Sequence, residues 1–552
     1  MWPAAGVGLD AARVPFGSAG CSPHHAPGEA SSLRRANRIL RKPLGVRAGY
    51  IWRSDLSDRV RVRDSVPARC CPAARARGAA LERAAGWLAA VAFLAAATAT
   101  GPGSAAPQFR PWLLIEQELS DNIDLDPDDD RQSAFVTRVV PGVSLRGNTY
   151  RFQGGFDGAL RSRYTTDGDD EGFRFDGALT GDGTVQLVPG RLFIEGEASV
   201  SQQVLNNAAA QTAANQDTVQ VYRLSPVLRH RFGGFAVGEL RYTFGQFLVS
   251  SDQASDTTTH SAQGALASGD DFDRLRWALN NRVSRSIRDD ASDIEQADSI
   301  AQAEVGVTRW FSPIAAGGYQ RFDADSSADF DGPAYWGGFR WRPGRRADLA
   351  LTYGKRDDRL SPGAELTYRF SEDTRLVASY AEGLSTAQQR LSTNLSFIEI
   401  DRDTDQFIDE RAGTPFDPRA DPFNIDDEIV YIKAARVALG FARGRYGFGV
   451  QGYFGREEDV DTGDEEEVYQ ANANWSYRLS RRLTFALSGG VELTRFPTGR
   501  DDDEYLVQPG LRYQLSPEAL LFADYRHRWQ ESNDEDAEYT ENRVAVGVRL
   551  SR

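Results

Sequence analysis

From about residue 110 to the end of the chain, apolar and polar residues alternate in short runs separated by turns. In Arg543-Val544-Ala545-Val546-Gly547-Val548-Arg549-Leu550 every second residue is apolar and the others are small or basic. Side chains of a strand point alternately to its two faces, so such a run predicts a strand with one greasy and one polar face. Leu483-Thr484-Phe485-Ala486-Leu487-Ser488 reads the same way, with Leu, Phe and Leu toward lipid and Thr, Ala and Ser toward a lumen. Strand pairs are expected at 112–120 with 135–146 and at 349–353 with 366–370, and a late series runs from 376 to 550.

The connections are of two kinds. Short ones carry an aromatic or Leu and then Ser, Pro, Gly or Asp, as in Trp310-Phe311-Ser312-Pro313, Trp341-Arg342-Pro343-Gly344 and Tyr477-Arg478-Leu479-Ser480. These residues favour tight turns, and the aromatics suit a membrane interface. The others are long and acidic, at 121–130, 165–171, 251–262, 289–298, 323–331, 456–467, 500–504 and 531–541, with the longest at 385–428. Short turns at one end and long loops at the other predict an all-β, closed antiparallel outer-membrane barrel of roughly 18–22 strands.

Composition narrows this reading. Outside the segment near Trp87 there is no run of roughly 18 apolar residues, so the body is not expected to cross a membrane as a helix. Cys21, Cys70 and Cys71 are the three cysteines, which leaves the body without a disulfide, a thiolate nucleophile or a cysteine metal site. Residues 1–105 carry a balance of about +9, leaving about −24 for the remainder.

Three arginines, Arg75, Arg77 and Arg83, precede the apolar run 86–97, and small residues follow through Ala105 and Ala106. That order is a Sec-type signal peptide at 81–105, cut near Ala105. Residues 1–80 read as a disordered extension or as an over-called start, and 106–552 as the barrel. Few residues lie between the expected cut and Trp112, too few for a plug domain, which argues against a plugged transporter.

The first hairpin reads Pro111-Trp112-Leu113-Leu114-Ile115-Glu116, Ser120-Asp121-Asn122-Ile123 and Val140-Pro141-Gly142-Val143. The centre reads Trp336-Gly337-Gly338-Phe339-Arg340-Trp341 and Ser379-Tyr380-Ala381-Glu382-Gly383. Over roughly residues 108–552 the chain resembles the putative β-barrel porin and PEP-CTERM system-associated outer-membrane protein families. The resemblance implies a Gram-negative cell envelope and a link to exopolysaccharide and protein-sorting loci. It supplies no catalytic residues.

Candidate chemistry is sparse. His230, His260 and His527 are expected near a turn, in an outer loop and on the penultimate strand. His527 beside Asp524 and Arg526 is the one faint catalytic candidate; a lumen-facing histidine in a polar network is the simpler reading, so the chain is not read as an enzyme. Asp401, Asp403, Asp405 and Asp409 have the spacing of a calcium loop, but Gln406 stands where the tight turn wants Gly and Ala412 where the bidentate Glu belongs, so a solvated acidic loop is the simpler reading. No other cofactor is expected. Arg138, Arg241, Arg375, Arg436, Arg543 and Arg549 fall on the expected lumen face, where they either tune selectivity or form structural ladders.

The leading expectation is a porin-like channel or export conduit in the outer membrane, gated by the 385–428 loop. The alternatives are a closed structural barrel that binds surface polymer, and a barrel enzyme. Expected partners are outer-membrane lipid and lipopolysaccharide, the barrel-insertion machinery, and exopolysaccharide or its export apparatus. Basic stripes inside a barrel are not a nucleic-acid surface.

Overall fold

In hydrocarbon an unpaired backbone N–H or C=O is costly, so lipid-facing strands must pair on both edges. A computed structural model describes residues 108–552 apart from 169–170, 252–253, 325, 327, 395–397, 401–406, 410–413 and 416–421. The expectations for residues 1–107 and the proposed calcium loop lie outside the described residues, because Asp409 is described in its backbone only.

The first half of the chain gives β1 (Gln108–Ser120), β2 (Ala134–Asn148), β3 (Phe152–Thr165), β4 (Gly172–Val188), β5 (Leu192–Val204), β6 (Gln216–Phe232), β7 (Ala236–Val249) and β8 (Thr257–Ser268). Then come β9 (Leu275–Arg288), β10 (Ile294–Val305), β11 (Phe311–Asp323), β12 (Phe330–Trp341), β13 (Ala347–Arg356), β14 (Arg359–Arg369) and β15 (Thr374–Thr386). A loop follows with helix α1 (Ala387–Asn394) and three short strands, β16 (Ile398–Ile400), β17 (Phe407–Asp409) and β18 (Thr414–Pro415). The last strands are β19 (Ile429–Arg443), β20 (Tyr446–Asp459), β21 (Glu465–Arg478), β22 (Leu483–Arg495), β23 (Asp501–Ser516), β24 (Ala519–Ser532) and β25 (Tyr539–Ser551).

Apart from the three-stranded loop sheet, these strands form one 22-stranded sheet. Each is antiparallel to the next, and β1 pairs with β25 through Leu113↔Leu550 and Ile115↔Val548, which closes the ring. The fold is a closed antiparallel outer-membrane-type barrel. Alternation decides the faces. On β1 Leu114, Glu116, Glu118 and Ser120 are buried inward, whereas Ile115, Gln117 and Leu119 are exposed outward. Trp310, Trp341, Phe370 and Tyr513 stand exposed beside the short turns, where an interfacial girdle belongs.

The strands reach further into the acidic segments than the sequence reading expected. The 251–262 segment is loop only to residue 256, because β8 begins at Thr257. The 456–467 loop shrinks to 460–464, and β23 begins at Asp501, inside the 500–504 segment. The cause is cross-strand charge pairing: Arg456 bonds Glu465 and Glu467, and Arg495 bonds Asp501 and Asp503. Opposite charges on facing strands extend a ladder that the acidic composition alone would have called loop.

One hairpin is shorter than its neighbours. Asp357 and Asp358, at φ 49° and 58°, turn β13 into β14 in two residues, a left-handed conformation that Asp tolerates. Above this turn the β14–β15 ladder stops at Ala364↔Tyr380. Beyond it, Leu384, Ile429 and Tyr431 have the parity of the lipid face, yet they are buried against Ile294, Phe322 and Ala324 from β10, β11 and the β11–β12 connection. Arg359 of β14 likewise pairs with Glu458 of β20 at 3.0 Å and covers the Tyr431 ring at 4.3 Å. The ends of β15, β19 and β20 therefore bend into the barrel over the short hairpin.

A close approach marks the other side of the wall. Trp112 faces inward under the Arg549 guanidinium, 4.1 Å from the ring centroid, and lies opposite Gly142. A Cβ on Gly142 would sit 2.1 Å from the indole. Gly142→Ala should therefore displace Trp112 and cost about 1–3 kcal/mol. The lipid-facing Gly177→Ala, where a Cβ meets nothing within 4 Å, should not. The temperature at which the compact band is lost in a heat-modifiability gel measures both.

Candidate functional site

The lumen is the site, and its outer half is crossed by two loops. Most of its lining is polar, as alternation demands, but Ala178, Val219, Val221 and Phe247 on β4, β6 and β7 are apolar and point inward. Val219 is 0% exposed because α1 covers it: Ala387 and Leu391 of α1, with Ile425, Leu205 and Ala254, complete one apolar cluster on that wall. The loop that leaves β15 thus crosses the lumen to the far side. Fully burying an aliphatic side chain is worth about 1.5–3 kcal/mol, so the cluster gives the loop a defined seat.

Polar contacts fix the rest. The Ser255 hydroxyl donates to Asp427 at 2.6 Å, and Arg288 donates to the Asp427 carbonyl at 2.8 Å. Arg223 bonds the Ser392 carbonyl. The second loop, 205–215, reaches toward β21–β24. Asn207 takes the Asn424 amide oxygen at 3.0 Å and the Pro422 carbonyl at 2.9 Å, and also meets Glu466. Gln211 meets Glu504 and Arg528, and Arg500 donates to the Ala208 carbonyl at 2.8 Å. The two loops share a backbone bond, Ile425 N–H to the Leu205 carbonyl at 3.1 Å.

At their junction sits Arg390 of α1, 2% exposed. It pairs with Glu457 of β20 at 3.2 Å, donates to the Asn424 carbonyl at 3.3 Å, and lies over the Phe423 ring at 5.6 Å. A buried guanidinium held on three sides acts as a latch between loop and wall.

The arginines singled out from the sequence share the lumen face. Arg138 pairs with Glu116 and Glu118, both at 3.2 Å, and Arg543 with Glu118 at 2.7 Å. Arg241 bonds Glu195 at 2.7 Å and Glu239 at 3.2 Å, beside Arg229 on the same two carboxylates. Arg436 lies 5.1 Å from the Tyr453 ring and Arg549 over Trp112. Arg375 has a buried Nε without a hydrogen-bond partner.

His230 lies by the turn at the end of β6, as expected, but the other two histidines depart from expectation. His260 is on β8, not in a loop, and its Nδ1 meets the Tyr242 hydroxyl at 2.7 Å on the lipid face. His527 is on β24 but faces outward, opposite Asn542, whose side-chain oxygen lies 2.9 Å from its Nδ1. The parity of β24 settles this: Asp524 and Arg526 face the lumen, so the odd-numbered His527 faces away from them. Among the described residues no group of three or more His, Cys, Asp or Glu could hold a metal.

Two features that shape the site, the covered apolar wall patch and Arg390, are not expected from the strand pattern. A signal for the first was present. In Gln216-Asp217-Thr218-Val219-Gln220-Val221-Tyr222-Arg223-Leu224, Val219 and Val221 are apolar on the lumen side while Tyr222 and Leu224 are apolar on the other.

Residues 464–552 match the model of a family described as Putative beta-barrel porin 2. No curated protein matches the chain. Among solved structures, the siderophore receptor PirA of Acinetobacter baumannii aligns at 8% identity and a TM-score of 0.46, covering 80% of each chain. PirA of Pseudomonas aeruginosa aligns at 11% identity and 0.43, covering 82% of this chain and 81% of that one. OccK8 (OprE) of the same organism aligns at 10% identity and 0.31, covering 81% and 98%. The chain is a closed antiparallel barrel of the outer-membrane type, and its last strands are similar to the Putative beta-barrel porin 2 family.

Two carboxylates outside the strands report on the folded-in end. Burial pushes the Asp357 carboxyl up to about 6, although it accepts the Leu384 N–H at 3.4 Å and a Gln320 amide N–H at 3.3 Å and lies near Arg356. Burial, with Asp426, Asp459 and Asp464 close by, pushes Glu428 up to about 7. Both are raised, so the folded-in arrangement holds its protons more tightly than a released one. Closure strengthens as pH falls through about 7 and then about 6, and weakens above. Limited proteolysis within 387–428, normalised to an unstructured peptide at each pH, should be slower near pH 5.5 than near pH 8. Arg390→Ala removes the ion pair with Glu457 and the bond to the Asn424 carbonyl, and so weakens the seat of the loop. It should speed that cleavage at every pH while the barrel band stays intact.

Proposed function

We propose that this chain is a porin-like channel or export conduit of the outer membrane, in which solute passes a polar lumen and the 387–428 loop sets the constriction. The observation that carries this reading is the seat of α1 on an inward apolar patch, joined to the wall mainly by side chains rather than by a continuous ladder. Such a loop can be displaced without breaking the barrel. The resemblance to envelope-associated barrels supports a role beside exopolysaccharide export and protein sorting, with lipopolysaccharide around the acidic rim.

A second reading has its own observation. The burial of Arg390 and the bonds between the two loops also suit a barrel that stays shut and presents its acidic loops to surface polymer. Planar bilayers separate the two. Purified, refolded protein should give discrete current steps, and Arg390→Ala should raise their size or frequency. A folded barrel that yields no steps in either form favours the shut barrel.

A further inference from the structure

On several walls of the lumen arginine and carboxylate come in matched sets, although Arg369 stands directly opposite Arg375 where β14 meets β15. Arg229 and Arg241 share Glu195 and Glu239, and Arg340 and Arg342 share Glu304 and Asp348. The wall made by β23, β24, β25 and β1–β3 departs from this. Arg138 stands directly opposite Arg163, and Arg526 directly opposite Arg543. All four surround one buried carboxylate, Glu118. Like charges placed across a strand pair are destabilising, so this wall carries a cost that a purely structural ladder would avoid.

Arg526 of this cluster and Arg512 on the neighbouring strand stand out. Neither makes a hydrogen bond within the described residues, and the Nε of each is buried without a partner. Both are part-exposed on the lumen side. The acidic side chains higher on the same wall are engaged: Asp502 by Arg500, Glu504 by Arg528 and Tyr539, Glu492 by Gln470. Lower down, Arg138, Arg163, Arg512, Arg526 and Arg543 face only Glu116, Glu118 and Asp524, the last beside Arg512, so the balance of this cluster is basic.

We propose that the wall around Arg512 and Arg526 is an anion-binding track, and that the solutes this barrel passes carry carboxylate or phosphate groups. A planar guanidinium with open donors suits such oxyanions, which it can bind in a bidentate manner. An anion there would also relieve the repulsion between Arg526 and Arg543. This inference rests on the channel reading.

The test is the reversal potential of the whole barrel in planar bilayers under an asymmetric potassium chloride gradient, followed by block of the current with inorganic phosphate. Wild type should favour chloride over potassium, and phosphate should reduce the current. The double variant Arg512→Gln and Arg526→Gln should lower the chloride-to-potassium ratio several-fold and abolish phosphate block. Arg512→Lys with Arg526→Lys should keep the ratio, and the outward-facing Arg285→Gln should leave it unchanged. Heat-modifiable mobility checks that each variant is folded. Steps that favour potassium, or a ratio the Gln pair leaves untouched, overturn the anion track while sparing the channel. Folded barrel without steps overturns the channel and the track with it.

Discussion

The closure of the backbone ladder is the constraint on which the rest of the structure depends. In lipid no water stands ready to bond a strand edge, so a membrane sheet is stable only when its first and last strands meet. Here the β1–β25 register places Leu113, Ile115 and Leu119 beside Leu550, Val548 and Val544 on the outer face. A slip of one residue would turn Glu116, Glu118 and Arg543 toward lipid, which is why the register is firmly specified. Once the ring is closed, every strand has a wet side and a greasy side.

That division also explains the lumen's ion pairs. Many inward arginines lie one strand away from inward carboxylates, so Arg138, Arg241 and Arg340 find partners without leaving their ladder positions. The apolar exceptions on β4, β6 and β7 would be poor in an open aqueous lumen, and the chain answers them with α1 and Ile425. The outer ends of β15, β19 and β20 follow the same logic. Where the β13–β14 hairpin stops early, their unpaired stretch turns inward and buries Leu384 and Tyr431.

Much of this was legible in the sequence. Alternation at 112–120, 483–488 and 543–550 is strong because lipid tolerates few polar residues on one face, and the turn residues after Trp310, Trp341 and Tyr477 mark the short end. The acidic segments were less legible. Arg456 and Arg495 convert their neighbouring acids from loop composition into strand pairs, and no local pattern reveals a partner on the next strand. The facing of His527 turns on parity alone, and the motif-like neighbourhood of Asp524 and Arg526 obscured it. The site was mostly hidden. Arg390 lies in a segment without strand period, and its partners Phe423 and Asn424 come from the far end of the loop and Glu457 from β20.

The two ends of the lumen divide the charges between different tasks. At the outer constriction, acids such as Glu457, Glu466 and Glu504 are held by groups of the crossing loops or of the wall, so their charge goes into positioning. On the β23–β24 wall Arg512 and Arg526 lie near Asp524 and Glu118 but make no hydrogen bond among the described residues. A fixed charge that is already hydrogen-bonded offers a passing ion little, because its field is largely answered; a charge with open donors interacts strongly in a confined, poorly screened space. Selectivity should therefore follow the few unanswered side chains rather than the overall charge of −15, and here the two have opposite signs.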